Sequence, residues 1–459
     1  RQRLHWKDCG GRFQCTRVRV PLDYAHPGGT SIELSVIRLP ATRSAGRKGS
    51  LLINPGGPGV SGIDYARAAT TVLSPTLRER FDVVGFDPRG VGASAPVRCL
   101  SDKEEDTYLA ADGSPDTGAE ERRLVDLSRL LAQRCRQRNG ALLAHVGTRD
   151  AARDLDVLRA ALGDQRLHYL GKSYGTYLGA TYAELFPARV GTMVLDGALD
   201  PASSGTEIAR EQALGFEVAL RAFVEDCLRR SDCPLHGSRD AALADVARLL
   251  AAIDQHPLRG DPGRPVTEAL AVLGVVAALY DEASGWPLLR TALAEAEKGS
   301  GQTLLLLSDF YTDRSGSGHY TTNANDAIYA VNCLDRPEEK DPAKLRARAA
   351  QFSRVAPRFG AYLAWSSLPC GLWPYPPEGT PHAIRATGSA PILVVGTTRD
   401  PATPYRWAQA LAGELQSGRL LTFEGDGHTA YRRGSTCIDQ AVDRYLVDGT
   451  LPRPGLRCR

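Results

Sequence analysis

The chain has 459 residues, enough to bury at least one large core, with 42% hydrophobic and 24% charged residues. Its formal charge of +3 is slight for that length and argues against a nucleic acid or a membrane surface as partner. No apolar run approaches the roughly 20 residues a membrane-spanning helix needs, so membrane insertion is not expected either.

The first segments alternate. Cys15–Pro21 and Ile32–Leu39 place apolar residues at about every second position, and the turn-rich stretch 24–29 lies between them, which predicts an antiparallel hairpin. Later runs are continuously apolar and short: Leu51–Ile53, Phe81–Phe86, Leu167–Leu170, Met193–Leu195 and Ile392–Val395. Such runs suit parallel strands covered on both faces. Between them, Ala151, Leu155, Leu158 and Leu162 make one helical stripe, with Thr148 as its expected N-cap and Gly163 as its stop. The alternation predicts an α/β sheet. From about 201 to 375 the pattern becomes helical, as in Arg239–Ile253 and Thr267–Tyr280, and strand signal resumes at Ile392. The expected organisation is a sheet core over 1–200, a helical insertion over 201–375, and the rest of the core over 376–459.

Ten cysteines, an even number with no C-x-x-C spacing, predict five disulfides in an oxidising compartment. Spacing alone does not select among about 945 pairings. The expectation is that neighbours pair in order, starting with the close pairs Cys9/Cys15 and Cys227/Cys233. Residues 1–6 do not read as a signal peptide, and a secreted mature chain would already have lost one. The expected location is secreted or extracellular.

Gly171-Lys172-Ser173-Tyr174-Gly175 is a G-x-S-x-G sequence between a predicted strand and a predicted helix, the setting of a nucleophile elbow. A serine hydroxyl needs a base to take its proton, and in this arrangement an acid and then a histidine follow in the chain. Asp400 follows the Ile392–Val395 run, and His428 lies in the glycine-flanked stretch Gly425–Thr429. Asp426 and Asp196 are rival acids, each with a turn or capping role as its alternative. The oxyanion needs donors. The N–H of Tyr174 is one, and the glycine-rich stretch Asn54–Gly59 supplies another from Gly57, with Gly56 as competitor.

Together Asn54–Gly59, Gly85–Gly92, Gly171–Thr176, Leu195–Gly197 and the loops of Asp400 and His428 resemble the tripeptidyl aminopeptidase family. These are secreted α/β-hydrolases related to proline iminopeptidases. Pro55 stands where relatives carry a histidine, a variation common in the tripeptidyl branch. The resemblance implies the α/β-hydrolase fold, a helical lid over 201–375, and release of short peptides, tripeptides first, from a free N-terminus. A protonated amine calls for carboxylates. Asp335 resembles a recurring family segment near the site, and Asp281 and Glu282 are further candidates; a solvated or ion-paired lid residue is the alternative for each.

No metal and no organic cofactor is expected, and the partner is a peptide or small acyl substrate. Three other readings stay open: an esterase, lactonase or amidase with the same triad, an endoprotease, and a binding protein on an inactive scaffold. The oligomeric state is not encoded in these patterns.

Overall fold

The computed structural model describes residues 2–43 and 45–459. Its strands are β1 (Lys7–Asp8), β2 (Gln14–Pro21), β3 (Ser31–Leu39), β4 (Ser50–Asn54), β5 (Asp82–Phe86), β6 (Leu167–Lys172), β7 (Val190–Asp196), β8 (Leu258–Asp261), β9 (Arg264–Val266), β10 (Ile392–Arg399), β11 (Gly418–Asp426) and β12 (Arg457–Cys458). Ten of them form one sheet in the order β1-β2-β3-β5-β4-β6-β7-β10-β11-β12. The first two pairings and that of β3 with β5 are antiparallel; all others are parallel.

Successive side chains of a strand face opposite sides, and the apolar runs fill both. Leu52, Val84, Tyr169, Met193 and Val394 pack on one face with Leu155, Leu158 and Leu178. Leu51, Ile53, Val83, Leu170, Val194 and Val395 pack on the other with Leu77, Ile438 and Val442. That two-sided burial is why these strands show no polar alternation. The predicted hairpin is β2–β3, with Val18 opposite Leu34.

The helix Thr148–Leu162 ends as predicted on Gly163, whose φ of 86° is left-handed. Its N-cap is Gly147 rather than Thr148. The Thr148 hydroxyl is turned away from the helix and donates to Asp335 at 2.6 Å.

Between β7 and β10 the chain is helical from Gly205–Cys227 to Leu368–Gly371, interrupted by the hairpin β8–β9, which the sequence pattern did not reveal. This segment has an apolar core of its own, including Phe216, Leu220, Phe223, Leu270, Leu289 and Leu304. β10 pairs directly with β7, Val194 opposite Leu393. The helical segment therefore leaves and re-enters one sheet between neighbouring strands. The five disulfides join Cys9–Cys15, Cys99–Cys135, Cys227–Cys233, Cys333–Cys370 and Cys437–Cys458, the expected order. No helix of the described residues is long and apolar enough to cross a membrane.

Candidate active site

The buried strand β6 runs straight into the helix Tyr174–Leu185, and Ser173 is the single residue at the join. Its φ of 54° is unusual for a residue with a side chain. Such a strained turn lifts the hydroxyl clear of the backbone, ahead of a helix N-terminus whose first N–H groups have no partner within the helix. Crowding explains the glycines. A Cβ on Gly171 or Gly175 would meet backbone or side chain at under 3.0 Å.

The loop after β4 closes over this turn. A Cβ on Gly56 would lie 2.8 Å from the Ser173 Cβ and 2.6 Å from the Lys172 carbonyl. The Gly56 N–H is already committed to Asn54 Oδ1 at 3.0 Å. Gly57 lines the same cavity as Ser173 and Tyr174. Of the two glycines, Gly57 is thus the one whose amide is free of the Asn54 contact.

Asp400 follows β10 and His428 follows β11. The His428 Nδ1 lies 2.9 and 3.0 Å from the two oxygens of Asp400. Asp400 is buried and also accepts the N–H groups of Ala402, Thr403 and Thr429 at 2.8–3.0 Å. The rival acids have other partners. Asp426 forms a two-pronged ion pair with Arg399. Asp196, fully buried, accepts the N–H groups of Ala430 and Tyr431, both at 2.9 Å.

The Asp196 segment ties the elbow to the histidine loop. The Ser173 N–H donates to the Asp196 carbonyl at 2.9 Å. Lys172 Nζ reaches the Tyr431 carbonyl at 2.7 Å. A Cβ on Gly197 would sit 3.4 Å from His428 Cε1. Ser173 and the His428–Asp400 pair thus share one scaffold at the carboxyl ends of β6, β7, β10 and β11.

A cavity of about 320 Å³ opens from Ser173 toward the helical segment. Tyrosines 280, 311, 329 and 362 and Phe216 supply much of its wall. Its polar groups include Gln212, Asn332, Arg336 and Glu338. Burial pushes the Glu338 carboxyl above its ordinary range, against the opposing pull of the neighbouring Ser367 hydroxyl and the charges of Arg348 and Arg336.

Two carboxylates expected here are elsewhere. Asp335 lines a different, smaller cavity, and its carboxylate accepts both the N–H and the hydroxyl of Thr148 at 2.8 and 2.6 Å. The same Thr148 hydroxyl lies 2.6 Å from the Tyr174 phenol, so Asp335 braces the elbow from behind. Glu282 is exposed. Its neighbour Asp281 pairs with Arg433 at 2.9 Å. Glu338, three residues past Asp335, was not singled out by the sequence. It lies past the end of the helix Ala324–Asp335, beyond an extended Arg336, where no helical or strand period places a side chain.

Parallel sheet, elbow and strand-end acid and histidine define an α/β-hydrolase, and the enzyme class is serine hydrolase. The family model described as TAP-like protein matches residues 356–458. Serine protease Hip1 of Mycobacterium tuberculosis is 41% identical over 481 residues, which span 100% of this chain and 91% of that protein. Carboxylesterase B of the same species is 42% identical, spanning 97% of this chain and 86% of that one. Tripeptidyl aminopeptidase of Streptomyces lividans is 35% identical, spanning 99% and 86%. The chain belongs to this family of tripeptidyl aminopeptidase-like α/β-hydrolases.

Proposed function

We propose that the enzyme is a serine exopeptidase that releases short peptides, typically tripeptides, from free N-termini. The observation that carries the reading is the half-buried Glu338 carboxyl within the cavity of Ser173. A protonated terminal amine is the cation that such a carboxyl would hold, and the cavity's extent from there to Ser173 would fix the number of residues released. Asp335 and Glu282 take no part in binding it.

The chemistry of this reading is acyl transfer. His428 takes the Ser173 proton as the hydroxyl attacks the scissile carbonyl. The N–H groups of Tyr174 and Gly57 hold the oxyanion, and Asp400 orients His428 and stabilises its charged form. His428 then protonates the leaving amine, and water repeats the sequence on the acyl-enzyme. The helical segment over about 201–375 acts as a lid on the core formed by 1–200 and 376–459. Its support is that helices Gly205–Cys227, Glu268–Leu279 and Ala324–Asp335 wall the cavity opposite the strand-end loops. Five disulfides support an oxidising, extracellular location.

An esterase, lactonase or amidase is the second reading, favoured by the apolar wall of Phe216, Leu273 and Val276 and by the relative named carboxylesterase B. Comparing an unblocked tripeptide anilide, its N-acetylated form and a short acyl ester separates the two. The exopeptidase hydrolyses the unblocked anilide far faster than the acetylated one, and Ser173→Ala lowers its kcat by roughly a millionfold. Equal rates on the two anilides, with the ester faster than both, would establish the second reading.

A further inference from the structure

His428 borders a second cavity, of about 330 Å³, that Ser173 does not line. Tyr280 belongs to the walls of both. Its ring meets the His428 imidazole edge-on at 5.1 Å, and its carbonyl accepts from the His428 N–H and from Arg433 Nη2, both at 2.9 Å. The partition between the two cavities is therefore held from the histidine loop itself.

Acyl-transfer chemistry assigns the two sides. The acyl part of a substrate sits with the serine and the oxyanion donors, while the departing part receives its proton from the histidine. A cavity that reaches His428 and not Ser173 lies on the departing side. Lys172, Arg432 and Arg433 line it, and no carboxylate of the described residues does. Their heads are anchored: Lys172 on the Tyr431 carbonyl, Arg432 on Asp439 at 3.0 Å, Arg433 on Asp281 at 2.9 Å. An ammonium carries three N–H groups and a guanidinium five, so anchoring leaves donors over. The Tyr65 hydroxyl is also buried there without a protein partner. A chamber rich in cations and donors, and lined by no acid, suits a ligand that only accepts.

We propose that this cavity receives the leaving group and selects one carrying a carboxylate next to the newly formed amine. That carboxylate is either an acidic side chain on the first leaving residue or the α-carboxylate of a single leaving residue. The inference rests on the acyl-transfer reading of Ser173 and His428. When the scissile C–N bond breaks, the nitrogen takes the His428 proton, and the product carboxylate stays among the cations.

The test uses four substrates with one common unblocked tripeptide, followed by aspartate amide, asparagine amide, free alanine or alanine amide. The expected result is a kcat/KM about five- to tenfold higher for aspartate amide over asparagine amide, for free alanine over alanine amide, or for both. The responding pair identifies the source of the carboxylate. Arg432→Gln and Tyr65→Phe should bring that ratio toward one. A ratio is independent of the fraction of variant that folds, and labelling by a fluorophosphonate reports the competent fraction. Ratios near one in the wild type, or unchanged in both variants, would overturn the proposal. If the enzyme cleaves esters and not peptides, short acyl esters of glycolate and glycolamide make the same comparison. Hydrolysis of neither set would refute the acyl-transfer reading and the inference with it.

Discussion

Asp400 has more to do than meet His428. Its two oxygens accept from the imidazole and from the N–H groups of Ala402, Thr403 and Thr429, so a carboxylate with several lone pairs is required at that point. An amide there would turn N–H groups toward donors and leave the imidazole in the wrong tautomer. Asp400→Asn should therefore lower kcat by about ten-thousandfold. Steady-state hydrolysis of an unblocked tripeptide anilide checks this, and thermal unfolding should show a loss of stability as well. Asp400 and His428 were legible because each lies in a short glycine- or proline-flanked loop at the end of an apolar run. Asp335 is placed by a contact that no local pattern carries. An acid at a helix end can face a ligand or a neighbouring hydroxyl, and it is Thr148, 187 residues earlier in the chain, that decides.

Among the elements, the helix Gly205–Cys227 begins at the end of the cavity that Glu338 lines. It opens with a capping box between Ser204 and Glu207, and its first residue is a glycine, a poor helix former. A Cβ at Gly205 would collide with the Glu338 carboxylate, the movable end of a side chain. Gly205→Ala should then displace Glu338 with little change in stability. The expected outcome is a KM raised about tenfold for unblocked tripeptide anilides, with a much smaller change for a short ester that carries no amine. Equal losses on both substrates would contradict that role for Glu338. The strands of the sheet were legible as elements because burial on both faces leaves continuous apolar runs such as Leu51–Ile53. The hairpin β8–β9 was not. Its strands, Leu258–Asp261 and Arg264–Val266, are short and largely polar, and neither hydrophobic period applies to them.

Across the whole molecule, the helical segment between β7 and β10 is joined to the rest of the chain by buried polar contacts whose charge depends on folding. Glu105 lies on the helix Asp102–Leu109 and accepts a hydrogen bond from Asn325 on the helix Ala324–Asp335 at 2.6 Å. Burial, reinforced by the nearby Asp326 charge, pushes its carboxyl up to about 8. The unfolded chain loses that proton near the ordinary value of 4.5. Between the two values the folded state binds more protons, so stability from this group is complete below about pH 4.5 and is lost as pH rises through about 8. Glutamine keeps the accepting oxygen for Asn325 and never ionises. Glu105→Gln should therefore match the wild type near the acid end of the window and exceed it at the alkaline end, by about 2 °C or more in Tm. Thermal unfolding of both proteins across that range measures the difference directly. Other titrating groups cancel, since the two chains share them. A gap that widens with pH would place a protonated Glu105 at the contact with Asn325, while a constant gap would mean that its ionisation is the same folded and unfolded.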